Sequence, residues 1–259
     1  MEDLNIFENK KFNELKKLQL KKITKLKDIK ALSSCYFPNL KTIEIEEANL
    51  TDDCIDVIKK LKLPKIKFIS FFSNKITSPE ILNSIKNFES LETFYIGDNP
   101  IDIKKLPNKN YIYEFPPNLI KLGLTKNFTK ETNEFISNNL NIENIKSLYI
   151  NYDGITSLKM FKNIKFKQIE DFWIRGDDKE GVIESIEEIK YFQNKKNIKR
   201  IVLKENKIKD IEKFVDIAPF FPKLELLNIE DNDIKKEKIE KVIEKLKEKG
   251  FEKLIIKYN

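Results

Sequence analysis

"LETFYIGDNPI", residues 91–101, places large apolar side chains at Leu91, Phe94, Ile96 and Ile101, with Asn99 fixed between the last two. Along a short strand successive side chains alternate between faces, so Phe94 and Ile96 point inward together and Tyr95 points the other way. Leu91 also faces inward. An asparagine amide donates and accepts at once, so Asn99 can satisfy backbone groups where the strand turns away.

The pattern recurs through the chain. Written L-x-x-L-x-L-x-x-N-x-L, with any large aliphatic residue or phenylalanine in place of leucine, it fits "IKFISFFSNKI" (66–76), "IKRIVLKENKI" (198–208) and "LELLNIEDNDI" (224–234) throughout. "LIKLGLTKNFT" (119–129) fits up to Thr129. "LKTIEIEEANL" (40–50) carries Ala48 in the asparagine slot, and "IKSLYINYDGI" (145–155) and "IEDFWIRGDDK" (169–179) carry Asp153 and Asp177. Aspartate keeps only the acceptor, which loosens those two turns. Further copies begin at Leu15 and Phe251, giving ten starts separated by 24 to 29 residues.

Ten copies at nearly constant spacing, five of them with asparagine in register, resemble the leucine-rich repeat family over residues 15–259. The resemblance implies an α/β leucine-rich repeat solenoid of about ten repeats. It would be a curved horseshoe with a parallel β-sheet on the concave face and helices on the convex face. A single repeat cannot bury its apolar edge, whereas stacked neighbours share one core. Proline stands two places before the strand at Pro38, Pro64, Pro117 and Pro222, where it ends each helical return. "TDDCIDVIKKL" and "TSPEILNSI" read as returns with capping residues at their starts; Ser78 is the cap of the second, with Pro79 in its first turn. "KKEKIEKVIEKLKEKG" is the longest return, with Ile239, Val242, Ile243 and Leu246 inward and Gly250 ending it. No linker or composition break appears, so the reading is one domain over 1–259. Residues 1–14, with Ile6, Phe7 and Phe12, form an amino-terminal cap; 15–234 are repeats; 235–259 are a capping helix and strand.

The bulk composition is that of a folded chain: 40% hydrophobic and 35% charged, with six glycines and nine prolines among 259 residues. The amino-terminal stretch is charged throughout and lacks a signal-like apolar run, and no segment reaches the roughly 18 apolar residues of a membrane span. An intracellular location is expected, with no membrane contact. Cys35 and Cys54 are too few for a disulfide framework, and a chain without histidine lacks the close pairs of a zinc site. Both read as reduced cysteines in or near the core.

Catalysis through histidine is excluded, and no glycine-rich phosphate loop is present. Asp52–Asp53, Asp177–Asp178–Glu180 and Asp231–Asp233 lack EF-hand spacing, and "DND" at a repeat corner is ordinary turn chemistry. The reading is therefore no enzyme, no cofactor, no metal and no small-molecule substrate. A family branch that activates a small GTPase has longer, more regular repeats and an acidic tail; this chain ends in "EKLIIKYN".

A net charge of +7 invites a nucleic-acid reading, but only Arg175 and Arg200 are arginine, and lysine is interleaved with glutamate from end to end. Lys, Ile and Asn share A- and T-rich codons, so genome composition accounts for much of the lysine. The outward strand positions are more informative. Position 5 of the ten repeats holds Gln19, Glu44, Ser70, Tyr95, Gly123, Tyr149, Trp173, Val202, Asn228 and Ile255. Phe68 and Phe72 flank Tyr95 from the preceding repeat. Tyr149, Tyr152, Trp173 and Arg175 lie beyond Gly123, with Arg200 in the next repeat. Adjacent strands stand about 4.8 Å apart, so Tyr149 and Trp173 should be neighbours, with Arg175 against the indole ring. Glycines 97, 123 and 176 would lower the rim into a groove.

Tyrosine, tryptophan and arginine are the types that dominate binding energy at interfaces. The plain alternative is that aromatic residues pack cross-strand for stability. The expected function is a non-catalytic scaffold that binds a partner protein through Phe68, Phe72, Tyr95, Tyr149, Tyr152, Trp173, Arg175 and Arg200. The alternative is a ribonucleoprotein-associated subunit, in which RNA is met only as part of a complex. The edge strand at the carboxyl end is a further surface through which a scaffold could bind.

Overall fold

The computed structural model describes residues 3–124, 132–151, 155–176 and 183–259, without the side chains of 132, 133 and 151. Expectations at Asn127, Thr129, Tyr152, Asp153, Asp177, Asp178 and Glu180 lie outside the described residues. Two compact units are present: Met1–Phe128 with Asn138–Asn141, and Thr129–Ser137 with Ile142–Asn259.

The first unit carries five parallel strands, β1 (Lys17–Lys21), β2 (Thr42–Glu46), β3 (Phe68–Ser70), β4 (Thr93–Tyr95) and β5 (Lys121–Gly123). Each pairs with the next in chain order, third repeat position against third: Lys17, Thr42, Phe68, Thr93 and Lys121 stand in one row. The second unit repeats the arrangement with β6 (Ser147–Asn151), β7 (Asp171–Arg175), β8 (Arg200–Val202), β9 (Leu226–Asn228) and β10 (Ile255–Lys257). Here Ser147, Asp171, Arg200 and Leu226 share a row. The tenth strand departs from the template: Leu226 pairs with Ile255 rather than Lys253, a slip of two residues. The cause lies in the return before it. Phe251, which mimics a strand start, closes the preceding helix instead, its N–H on the Leu246 carbonyl at 2.9 Å.

Parity holds. Leu91, Phe94, Ile96 and Ile101 are 0–8% exposed, and their counterparts in the other described repeats form the same core. Beyond β4 each strand leaves through a left-handed residue, as it does in six repeats: Lys22, Glu47, Ser73, Asp98, Glu205 and Asp231 have φ of 51–59°. An L-residue there costs roughly 1–2 kcal/mol. The asparagine next in line holds the corner. Asn74 donates to the Ile45 and Phe71 carbonyls at 2.8 and 3.0 Å and accepts from the Ala48 and Leu50 N–H groups. Asn99 donates to Phe71 and Ile96 and accepts from Ile76. In the second unit Asn206 joins Ile174 to Ile183, and Asn232 joins Leu203 to Ile208. Each amide thus bolts its own repeat to the one before.

The returns are mostly not α-helical. The α-helices are α1 (Cys54–Lys60), α2 (Ile81–Ser84), α3 (Thr132–Asn139), α4 (Phe214–Ile217) and α5 (Lys236–Glu248); the remaining helical turns are 3₁₀, such as Leu158–Asn163 and Ile186–Tyr191. A 3₁₀ turn rises about 2.0 Å per residue and so spans a layer with few residues. Ser157 and Ser185 start two of them by accepting the N–H of Lys159 and Glu187. α5 is as expected, with Ile239, Val242 and Leu246 buried, Ile243 half-buried, and Gly250 at φ +87° ending it. Asp52, read as a cap for α1, reaches instead to the next repeat, accepting from the Thr77 and Ser78 N–H groups at 2.7 and 2.8 Å.

At the amino-terminal end Leu4 is the buried residue, and Phe7, Phe12 and Phe37 form a ring chain at 5.6 and 5.3 Å. Ile6, expected in the cap, is 68% exposed, because the 3₁₀ turn Asn5–Phe7 directs Leu4 inward.

Candidate functional site: the outward strand faces

In the second unit the backbone register sets Tyr149 opposite Trp173, and their rings lie 5.5 Å apart at 35°. Both side chains are half-buried, bounded by buried Val202. The Trp173 Nε1–H is turned inward, shielded from solvent and without an acceptor among the described residues. An unsatisfied buried donor costs about 1–3 kcal/mol. It also means that the accessible part of the indole is carbon, suited to apolar contact rather than hydrogen bonding.

The two arginines turn to their own ladder. Arg200 forks onto Asp171, with Nε and Nη2 at 2.6 and 2.7 Å, and the Ser147 hydroxyl adds a third bond to the same carboxylate at 2.8 Å. Arg175 forks onto Glu205 through Nε at 2.6 Å and a second, Nη2 contact, so Glu205 rather than the Trp173 ring holds its guanidinium. Lys199–Glu170 and Lys204–Asp231 complete a face whose cations are paired across repeats.

In the first unit Tyr95 meets Phe68 edge to face at 5.6 Å, and Phe72 is 37% exposed. Gly123 does not open a groove. A Cβ there would lie 2.2 Å from Tyr95 Cδ1, so the tyrosine ring already fills the space. Gly176 serves close approach of backbones instead, since its Cβ would meet the Glu205 carbonyl oxygen. Tyr152 lies outside the described residues.

The lysines of β1 and the glutamates of β2, expected as separate basic and acidic strips, neutralise each other. Lys17 reaches Glu44 at 2.7 Å, Lys21 reaches both Glu44 and Glu46, and Gln19 donates to Glu44. Ser70 adds a bond to Glu46. Burial works to raise the Glu44 pKa, but the bonds from Lys17, Lys21 and Gln19 outweigh it and pull it down to about 2. Its stabilisation is thus present above the ordinary value of 4.5 and lost as pH falls toward 2. Glu44→Gln should cost on the order of 2 kcal/mol in urea unfolding at pH 7. The gap from the wild type should shrink across that acid window; a gap unchanged at pH 3 would contradict the assignment.

Among the described residues no cluster of three or more metal-ligating side chains is present, and no helix is long and apolar enough to cross a membrane. Cys35 and Cys54 are free thiols, the second buried and pushed up to about 12 by that burial.

No family model matches the sequence, and no curated protein does. Solved structures do match in shape. An internalin (inlF) from Listeria monocytogenes superposes with a TM-score of 0.57 at 18% identity, covering 96% of this chain and 62% of that one. Internalin C2 (inlC2) from the same organism gives 0.46 at 16% identity over 79% and 84%. A leucine-rich repeat protein from Leptospira interrogans, LIC12759, gives 0.35 at 16% over 88% and 74%. This chain spans about three fifths of the length of the first of these. With nine strands in template register, the asparagine bolts and this likeness in shape, the chain has the leucine-rich repeat fold.

Proposed function

We propose that the protein is a non-catalytic interaction module that holds a partner protein on the outward strand face of its second unit. The observation that carries this reading is the Tyr149–Trp173 pair: two large rings held side by side by a paired backbone, half-exposed, with the indole N–H turned away. Aromatic anchors of this kind, rigid and costing little conformational entropy, carry most of the energy where partners meet. Arg175 and Arg200 act in the proposal as the frame that positions the strands. Their forks are occupied by Glu205 and Asp171, which leaves less charge for a phosphate backbone and favours a protein partner over RNA.

The test is a titration of the partner recovered by affinity purification. Trp173→Ala and Tyr149→Ala should each weaken binding by about 2 kcal/mol, near 30-fold, with unfolding little changed. Unaltered affinity in both variants would refute the site, and release of the partner by nuclease would favour the ribonucleoprotein reading.

A further inference from the structure

Each inner strand of the second unit is covered on both edges, but β10 is paired only with β9 among the described residues. Its exposure is that of an unfinished layer. Leu148, Phe172, Ile201 and Leu227, which share the row of Ile256, are 0% exposed, whereas Ile256 is half-buried and Ile255 is 58% exposed. The backbone is unfinished as well. Ile255 N–H donates to Glu225 and the Lys257 carbonyl accepts from Ile229, so both residues face β9. In a parallel ladder alternate residues serve opposite neighbours, and the Ile256 N–H and C=O therefore point to the open edge.

Charge decides what fits there. On the outward face the cations around β7 and β8 have carboxylate partners one repeat away: Arg175 with Glu205, Arg200 with Asp171, Lys204 with Asp231. Lys257 occupies the same face of β10 with no carboxylate within ion-pair distance among the described residues. Residues 235–259 hold nine lysines against five glutamates, a surplus of four. Residues 1–30, which contain the other free edge at β1, hold nine lysines against five acidic residues. Two copies joined edge to edge would set like charges together, which disfavours a second copy as the occupant.

We propose that the open edge of β10 is a docking site for an extended acidic segment of a partner protein, in which carboxylates alternate with apolar residues. Added as a further strand, such a segment takes the Ile256 backbone groups. Its apolar side chains cover Ile256 on the core side, and its carboxylates meet Lys257 on the outward side. The site is separate from the Tyr149–Trp173 pair and stands or falls independently of it.

The experiment uses the 259-residue chain and a fluorescein-labelled nine-residue peptide alternating glutamate with valine, followed by anisotropy. The expected result is saturable binding that weakens at least tenfold in Lys257→Glu and is unchanged in Trp173→Ala. Exchange of the Ile256 amide should slow when the peptide is bound. Equal binding of a lysine–valine peptide, indifference to Lys257→Glu, or an Ile256 amide that exchanges at the same rate with and without peptide would each overturn the proposal. So would sedimentation showing that the chain alone self-associates with Ile256 protected.

Discussion

Asn99→Asp should destabilise the first unit more than any conservative change on its surface. The Asn99 side chain is 1% exposed and donates to the Phe71 and Ile96 carbonyls at 2.9 and 2.8 Å while accepting from Ile76 N–H. The substituted carboxylate can still accept but sets negative oxygens against two carbonyls in a site without water. The expected loss is about 3–5 kcal/mol at pH 7, the range for an uncompensated buried charge. Asn99→Ala removes the same bonds without adding charge, for a loss of about 2–3 kcal/mol. The sign of the pH effect separates the two. The introduced carboxyl has its pKa raised in the folded state, so the penalty of Asn99→Asp grows as pH rises above about 4 and fades below it, whereas the alanine penalty stays level. Urea unfolding at pH 7 and pH 4, with Ile76 amide exchange as the local probe, reads both. A carboxylate tolerated at pH 7 would mean that Asn99 is not the bolt described here.

Gly176→Ala is the second large expected loss. A Cβ at this position would lie 1.9 Å from the Glu205 carbonyl oxygen and 2.9 Å from its carbon, both backbone atoms of the following repeat. The same glycine donates its N–H to the Lys204 carbonyl at 3.0 Å, so the approach cannot be relaxed without opening that bond. Overpacking against backbone costs about 3 kcal/mol or more, and a thermal melt should show it. Gly123→Ala makes the informative comparison. Its close contact is with the Tyr95 ring, which can turn, so its cost should be smaller and the visible effect should be movement of Tyr95. If the two variants melt alike, backbone proximity at Gly176 is not the constraint.

The contrast between these positions shows what a sequence can carry. Strand starts from Leu15 to Leu224 were legible because side-chain parity and the asparagine slot are local properties of eleven residues. The tenth start was not, because Phe251 meets the local pattern while its N–H is committed to Leu246 at the end of α5. The pairing of Tyr149 with Trp173 was legible from position number, since parallel register carries one fifth position onto the next. The fates of Arg175 and Arg200 were not. A long side chain chooses among several carboxylates on neighbouring strands, and Glu205 and Asp171 lie about 30 residues away. Gly123 was misread as a gap for the same reason: its space belongs to a ring from another repeat.

The most direct test of the ladder and its outward face is acrylamide quenching of Trp173, the chain's single tryptophan. The account predicts native emission that acrylamide quenches at a rate between those of a free and a fully enclosed indole, because the ring's carbon face is open while its N–H is not. It also predicts that a bound partner suppresses that quenching. Native emission that resists acrylamide as a core tryptophan does would place Trp173 on the inner face and contradict the parity on which the site depends.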